Sequence, residues 1–160
     1  MAAPFNVVLI EPEIHWNTGN IGRTCVATGS TLHLVGKLGF SIADKEIRRS
    51  GLDYWAKLKL VRHETVEGFF ASLKPGADLF FFSTKGPKTY WEAKFRPGSY
   101  LIFGREAGGL PEDIRAEYAD RMYRIPIGPQ VRSLNLSTSA GVALFEALRQ
   151  VGPLAPKTGP

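Results

Sequence analysis

Residues 7–10 (Val7, Val8, Leu9, Ile10) and 79–82 (Leu79, Phe80, Phe81, Phe82) are apolar at every position. A strand with one wet face alternates polar and apolar residues, whereas an unbroken apolar run needs cover on both faces. Strands of that kind belong to parallel sheets sandwiched between helices. The two runs sit inside candidate strands at 5–10 and 78–82, and further short apolar runs at 31–35, 59–61, 100–103 and 122–125 extend the set. Residues 17–28 read as a helix capped by Asn17 or Thr18 and stopped by Gly29, and 65–73 read as another. The clearest helix is 136–151, where Leu136, Ala140, Ala143, Leu144, Ala147, Leu148 and Val151 share one broad stripe. Strands alternating with helices predict an α/β fold with a mostly parallel sheet flanked by helices.

A chain of 160 residues is expected to hold one domain, here 1–151, with a loose Pro- and Gly-rich tail at 152–160. Hydrophobic residues at 44% and charged residues at 22% exclude a disordered or fibrous class. The single cysteine, Cys25, rules out an intrachain disulfide and reads as a buried small hydrophobe rather than a nucleophile. His15, His33 and His63 have no ligand spacing, so no metal is expected. No basic-then-apolar leader opens the chain, and no run reaches the ~18 apolar residues of a membrane span. The expected location is the cytoplasm, with no membrane partner.

The net charge of +5 is in the direction of a protein that meets phosphate backbones. Lys45, Arg48 and Arg49 share one segment. Lys57, Lys59 and Arg62 follow, then Lys85 and Lys88, interleaved with Tyr54, Trp55, Tyr90 and Trp91. Cations that attract phosphates beside rings that stack bases are the footprint of RNA binding, although any one cluster reads equally well as solvated surface.

Three polar, glycine-punctuated segments follow strand ends, where open α/β sheets bind ligands. The first, Asn17-Thr18-Gly19-Asn20-Ile21-Gly22-Arg23, opens a helix whose free N–H groups favour an anion. There Asn17, Asn20 and Arg23 either meet a phosphate or ribose hydroxyl, or simply cap the helix and face solvent. The second, Gly104-Arg105-Glu106-Ala107-Gly108-Gly109-Leu110-Pro111, leaves the backbone bare for a small molecule and brings Glu106 beside it. The third runs from Ile125-Pro126-Ile127-Gly128 to Arg132-Ser133-Leu134-Asn135-Leu136-Ser137. In it Asn135 suits an N-cap and a ligand contact alike.

Together these segments resemble the three motifs of the SPOUT class of RNA 2′-O-methyltransferases. Glu11-Pro12-Glu13 and Arg48-Arg49-Ser50-Gly51-Leu52-Asp53-Tyr54 are similar to the TrmL/YibK-like group, which methylates the tRNA wobble nucleotide. Arg105 stands where those wobble enzymes often carry proline. The resemblance implies a deep C-terminal trefoil knot that binds S-adenosylmethionine, and a homodimer acting on tRNA. It implies cofactor contacts at Phe82, Gly104, Ile125 and Ser133, and a catalytic set of Arg23, Asn17, Glu106, Ser133 and Asn135. RNA contacts are expected at Arg23, Lys45, Arg48, Arg49 and Lys57. A ribosomal RNA or another tRNA position as target, and a knotted RNA-binding protein without turnover, are the alternatives.

Overall fold

The computed structural model describes residues 4–42 and 54–152. Lys45, Arg48, Arg49 and tail residues 153–160 lie outside the described residues. Among the described residues seven strands form the sheet: β1 Asn6–Ile10, β2 Thr31–Val35, β3 Lys59–His63, β4 Leu79–Phe82, β5 Lys88–Thr89, β6 Tyr100–Phe103 and β7 Met122–Arg124. Their order is β3-β2-β1-β6-β4-β7-β5, and every neighbouring pair is parallel. The sequence signal misses β5 because two residues beside Pro87 are too short to show a period.

The unbroken apolar runs are buried on both faces, as their composition requires. Val7 and Leu9 of β1 join Leu32, Leu34, Phe80, Leu101 and Phe103 under helices α1 (His15–Thr28) and α4 (Leu136–Val151). Val8 and Ile10 face the other way, toward Phe81, Ile102 and Phe69 of α2 (Val66–Ser72) and Ile114 of α3 (Glu112–Glu117). Side chains one residue apart on a strand point to opposite faces, so β1 serves two cores at once. Each fully buried Phe or Leu contributes roughly 1.5–3 kcal/mol.

Helix α4 has the expected bounds and buries Ala140, Ala143, Leu144, Ala147 and Leu148. Its alanines let α1 pack against it on the sheet. Helix α2 is capped by Thr65, whose hydroxyl accepts the Gly68 N–H at 2.9 Å. Helix α1 ends as expected at Gly29, which takes the left-handed conformation (φ 72°).

The start of α1 corrects the sequence expectation. It begins at His15, not Asn17, and its N-cap position is Ile14, with no side chain of its own segment bonding there. Asn17 and Thr18 lie inside the first turns, both buried. Asp/Asn/Ser/Thr rules locate a cap from local sequence, and here the capping group comes from another strand end.

Candidate functional site

Strand β6 runs into Gly104, where a side chain is sterically impossible: a Cβ would stand 2.1 Å from the Gly109 carbonyl carbon and 2.2 Å from the Leu110 nitrogen. The loop folds back over this glycine. Arg105 and Gly109 exchange both backbone hydrogen bonds at 3.0 Å, and Gly109 takes a positive φ of 65° to close the turn.

This closed loop is stitched to the β1–α1 connection. The Glu106 carboxylate accepts the backbone N–H groups of Glu13 at 2.7 Å and Ile14 at 3.0 Å, and lies 3.4 Å from Asn17 Nδ2. An anion at a helix N-terminus meets unpaired donors and the positive end of the helix dipole. Arg105 donates to Glu11 at 2.8 Å, and the Ala107 N–H to Glu13 Oε1 at 3.2 Å. Asn17 passes the connection onward: its Oδ1 accepts from Asn135 Nδ2 at 3.0 Å. Asn135 Oδ1 in turn caps α4, accepting from the Ser137 and Thr138 N–H groups. One hydrogen-bonded series thus links all three segments singled out in the sequence.

The segments enclose a cavity of about 790 Å³ at the C-terminal ends of β4, β6 and β7. Its wall includes Phe82, Ser83 and Lys85 after β4, the loop 104–110, Ile125 and Ile127 after β7, and residues 132–136 before α4. Ile14 approaches from the N-cap of α1, Asn17 from its first turn and Arg115 from α3. The composition is that of a small-molecule site, with apolar surfaces from Leu110, Ile125, Leu134 and Leu136 beside bare backbone and a few polar groups. Of the sequence-derived site residues, Asn17, Phe82, Gly104, Glu106, Ile125, Ser133 and Asn135 line it.

Arg23 does not line this cavity. It is exposed, and its guanidinium lies 5.6 Å from the centre of the Tyr54 ring. Lys57 is also exposed, at the end of the short 3-10 turn Trp55–Lys57 that packs beside α1, where Trp55 approaches the place of a Gly22 Cβ to 3.0 Å. Two members of the basic and aromatic set are redirected by the fold. Tyr90 is buried in the core, out of reach of a base. Arg62 donates to the carbonyls of Leu34, Gly36 and His63, tying strand ends together. Burial pushes the Cys25 thiol up to about 12, as an inert core residue requires.

Arg115 and Lys85 were missed as site residues. Arg115 sits in a six-residue helix with no sequence period to mark it, and Lys85 had only its place in a basic cluster. Among the described residues, no group of three or more His, Cys, Asp or Glu converges to hold a metal ion, and no helix is long and apolar enough to cross a membrane.

Comparison with known proteins agrees with this architecture. The model of the SpoU rRNA Methylase family matches residues 4–145. A putative tRNA (cytidine(34)-2′-O)-methyltransferase of Bacillus subtilis is 48% identical over 149 residues, covering 91% of this chain and 92% of the relative. A tRNA (cytidine(34)-2′-O)-methyltransferase of Polaromonas is 46% identical over 151 residues, covering 92% of each. Among solved structures, one concerned with 2-OH methylation of C/U34 on tRNA superposes with a TM-score of 0.88 at 44% identity, covering 91% of this chain and 95% of that one. The AdoMet-bound rRNA methyltransferase of Sinorhizobium meliloti superposes with a TM-score of 0.84 at 26% identity, covering 96% of this chain and 59% of that one.

Proposed function

This chain belongs to the SpoU rRNA methylase family, and from that premise we propose that it is a tRNA 2′-O-methyltransferase acting on the ribose of the wobble nucleotide with S-adenosylmethionine as donor. The observation that carries the reading is the series Glu106–Asn17–Asn135, which draws three separate segments around one cavity. The wobble target rests on the relatives at 46–48% identity over nine-tenths of the chain.

The cavity suits the donor. Its volume exceeds that of a nucleoside with an amino-acid side arm, Gly104 lets the 104–110 loop close along its edge, and apolar groups at Leu110, Ile125 and Leu134 are available to a purine. Phe82, Gly104, Ile125 and Ser133 would hold it, and when bound it supplies an electrophilic methyl group. The chain then has to hold the ribose 2′-OH in line and help its proton leave.

Glu106 is a positioning residue in this scheme: both carboxylate oxygens already accept hydrogen bonds, which leaves it poorly placed to take a proton. Ser133 and Asn135 present polar groups to the ribose. Arg23 acts as a phosphate clamp and electrostatic stabiliser of the developing alkoxide, because a guanidinium is a poor base at neutral pH. Since Arg23 lies outside the cavity of its own chain, a homodimer in which each copy brings Arg23 toward the other's cavity suits this role. The exposed Trp16 of α1 and Phe145 of α4, 55% and 53% accessible, support a contact through that helical layer. We further read residues 1–151 as one domain carrying the family's C-terminal trefoil knot, working in the cytoplasm.

The test is transfer of radiolabel from S-adenosylmethionine to tRNA, followed by mapping of the modified nucleotide. Label on the wobble ribose, undiminished by chelators, is expected. Label on a base atom, or none on tRNA, refutes the reading.

A further inference from the structure

The cationic side of the cavity has no counterpart in the chemistry described so far. Lys85 after β4, Arg115 on α3 and Arg132 before α4 all line the one cavity. The wall's other arginine, Arg105, is already neutralised by Glu11 at 2.8 Å, and its carboxylate, Glu106, is occupied by backbone N–H groups. Among the described residues no carboxylate pairs with Lys85, Arg115 or Arg132. Arg115 is the most telling of the three. Its Nε is buried and lacks a hydrogen-bond partner, one of only two such side-chain atoms among the described residues. Buried donors are satisfied in native structures, and an exception calls for a missing partner.

S-adenosylmethionine brings a single carboxylate to these three cations, while its sulfonium and ammonium add positive charge. The cations in excess of that carboxylate are left for a second, anionic ligand. Resting on the methyl-transfer reading, we propose that Arg115, Lys85 and Arg132 form a seat for the RNA phosphate adjoining the target ribose. The covalent structure of RNA demands such closeness: the 2′-OH and the 3′-phosphate stand on neighbouring carbons of one ring. A ribose presented beside Ser133 and Asn135 thus brings a phosphate to the same cavity. Arg115 offers a planar fork matched to phosphate oxygens, and the flexible Lys85 adds a point charge.

The experiment compares wild type with Arg115→Met, Arg115→Lys and Lys85→Met, using tRNA binding by fluorescence anisotropy across a salt series and S-adenosylmethionine binding by calorimetry. Thermal melts accompany each variant, and Lys85→Met, at an exposed loop position, covers the case in which Arg115→Met fails to fold. Each neutralising change is expected to lower the salt slope by about one unit and weaken tRNA binding about tenfold at low salt, with S-adenosylmethionine affinity unchanged. Arg115→Lys is expected to keep the slope while raising the KM for tRNA, because charge survives and the fork does not. Unchanged slopes in variants that still methylate overturn the seat alone. Weakened S-adenosylmethionine binding with an intact tRNA slope also overturns it, assigning Arg115 to the donor's carboxylate. A wild-type protein that neither binds nor methylates tRNA overturns the function itself.

Discussion

At the scale of single residues, the site depends on groups whose partners are distant in sequence. Glu106 is an acceptor for the N-terminus of α1 although more than 90 residues separate it from Glu13. In Glu106→Gln one acceptor oxygen becomes a donor facing a backbone N–H. Hydrogen bonds to charged groups are worth roughly 1.5–3 kcal/mol, and partial exposure reduces that, so a loss of about 1–2 kcal/mol in denaturant unfolding is expected. Asn17 is legible in sequence as a polar residue at a helix start, but its work is to join Glu106 to Asn135. Arg23→Ala is expected to abolish methyl transfer in single-turnover assays while leaving S-adenosylmethionine affinity, measured by calorimetry, nearly unchanged. The reason is spatial: Arg23 lies over Tyr54 and not on the cavity wall. Methylation at the wild-type rate by this variant would remove Arg23 from the reaction.

At the scale of elements, the loop 104–110 is the most constrained piece of the site. Adding a methyl group in Gly104→Ala meets backbone atoms that cannot rotate away, so the Arg105–Gly109 exchange must open and Glu106 must leave α1. Calorimetry should register a large loss of cofactor affinity, and overpacking of this kind commonly costs ~1–3 kcal/mol of stability. Gly108→Ala is the control, because its Cβ would meet nothing within 4 Å. Helix α4 makes the complementary point. An ideal Cβ on Gly141 also meets nothing within 4 Å, and thermal melts would check that the chain carrying Gly141→Leu still folds. Dissociation of an otherwise folded protein in sedimentation would then support the proposed homodimer with α4 in its contact, and sedimentation unchanged from wild type would exclude Gly141 from such a contact.

At the scale of the whole molecule, the sheet carries a polar relay centred on the buried His33, none of whose residues lines the cavity. His33 Nε2 donates to Asn6 Oδ1 at 2.9 Å, while its Nδ1 accepts from His63 Nε2 at 3.0 Å. Asn6 in turn donates to the Gly98 carbonyl. Phe69 and Tyr100 pack around the imidazole. Burial, reinforced by His63, lowers the His33 pKa from 6.5 to about 4. Burial and the neighbouring Arg62 lower that of His63 as well. A histidine depressed on folding binds more protons when unfolded, so its contribution to stability is intact above pH 6.5 and falls away as the pH drops toward 4. The loss from His33 is of the order of 3 kcal/mol across that window. Denaturant titrations from neutral to acid pH should show this slope, and His33→Gln should flatten it. An identical slope in His33→Gln would place the acid sensitivity elsewhere.

The sequence by itself determined the architecture, because burial pattern is written locally. Unbroken apolar runs at 7–10 and 79–82 demand two dry faces, the stripe on 136–151 demands a helix, and Gly29 ends α1 through a conformation that glycine adopts freely. The residues of the three motifs were legible for the same reason, as polar and glycine-rich breaks after strand ends. Only the tertiary structure decided which of them meet. Strand order β1-β6-β4-β7 sets the ends of non-consecutive strands side by side, which no local period encodes. That juxtaposition turned Asn17 from a cap into a link, made Glu106 the cap in its place, left Arg23 outside the cavity and brought in Arg115 from a helix too short to announce itself. Hydrophobic patterning is a property of neighbours along the chain, whereas hydrogen-bond partnership and charge convergence are properties of neighbours in space.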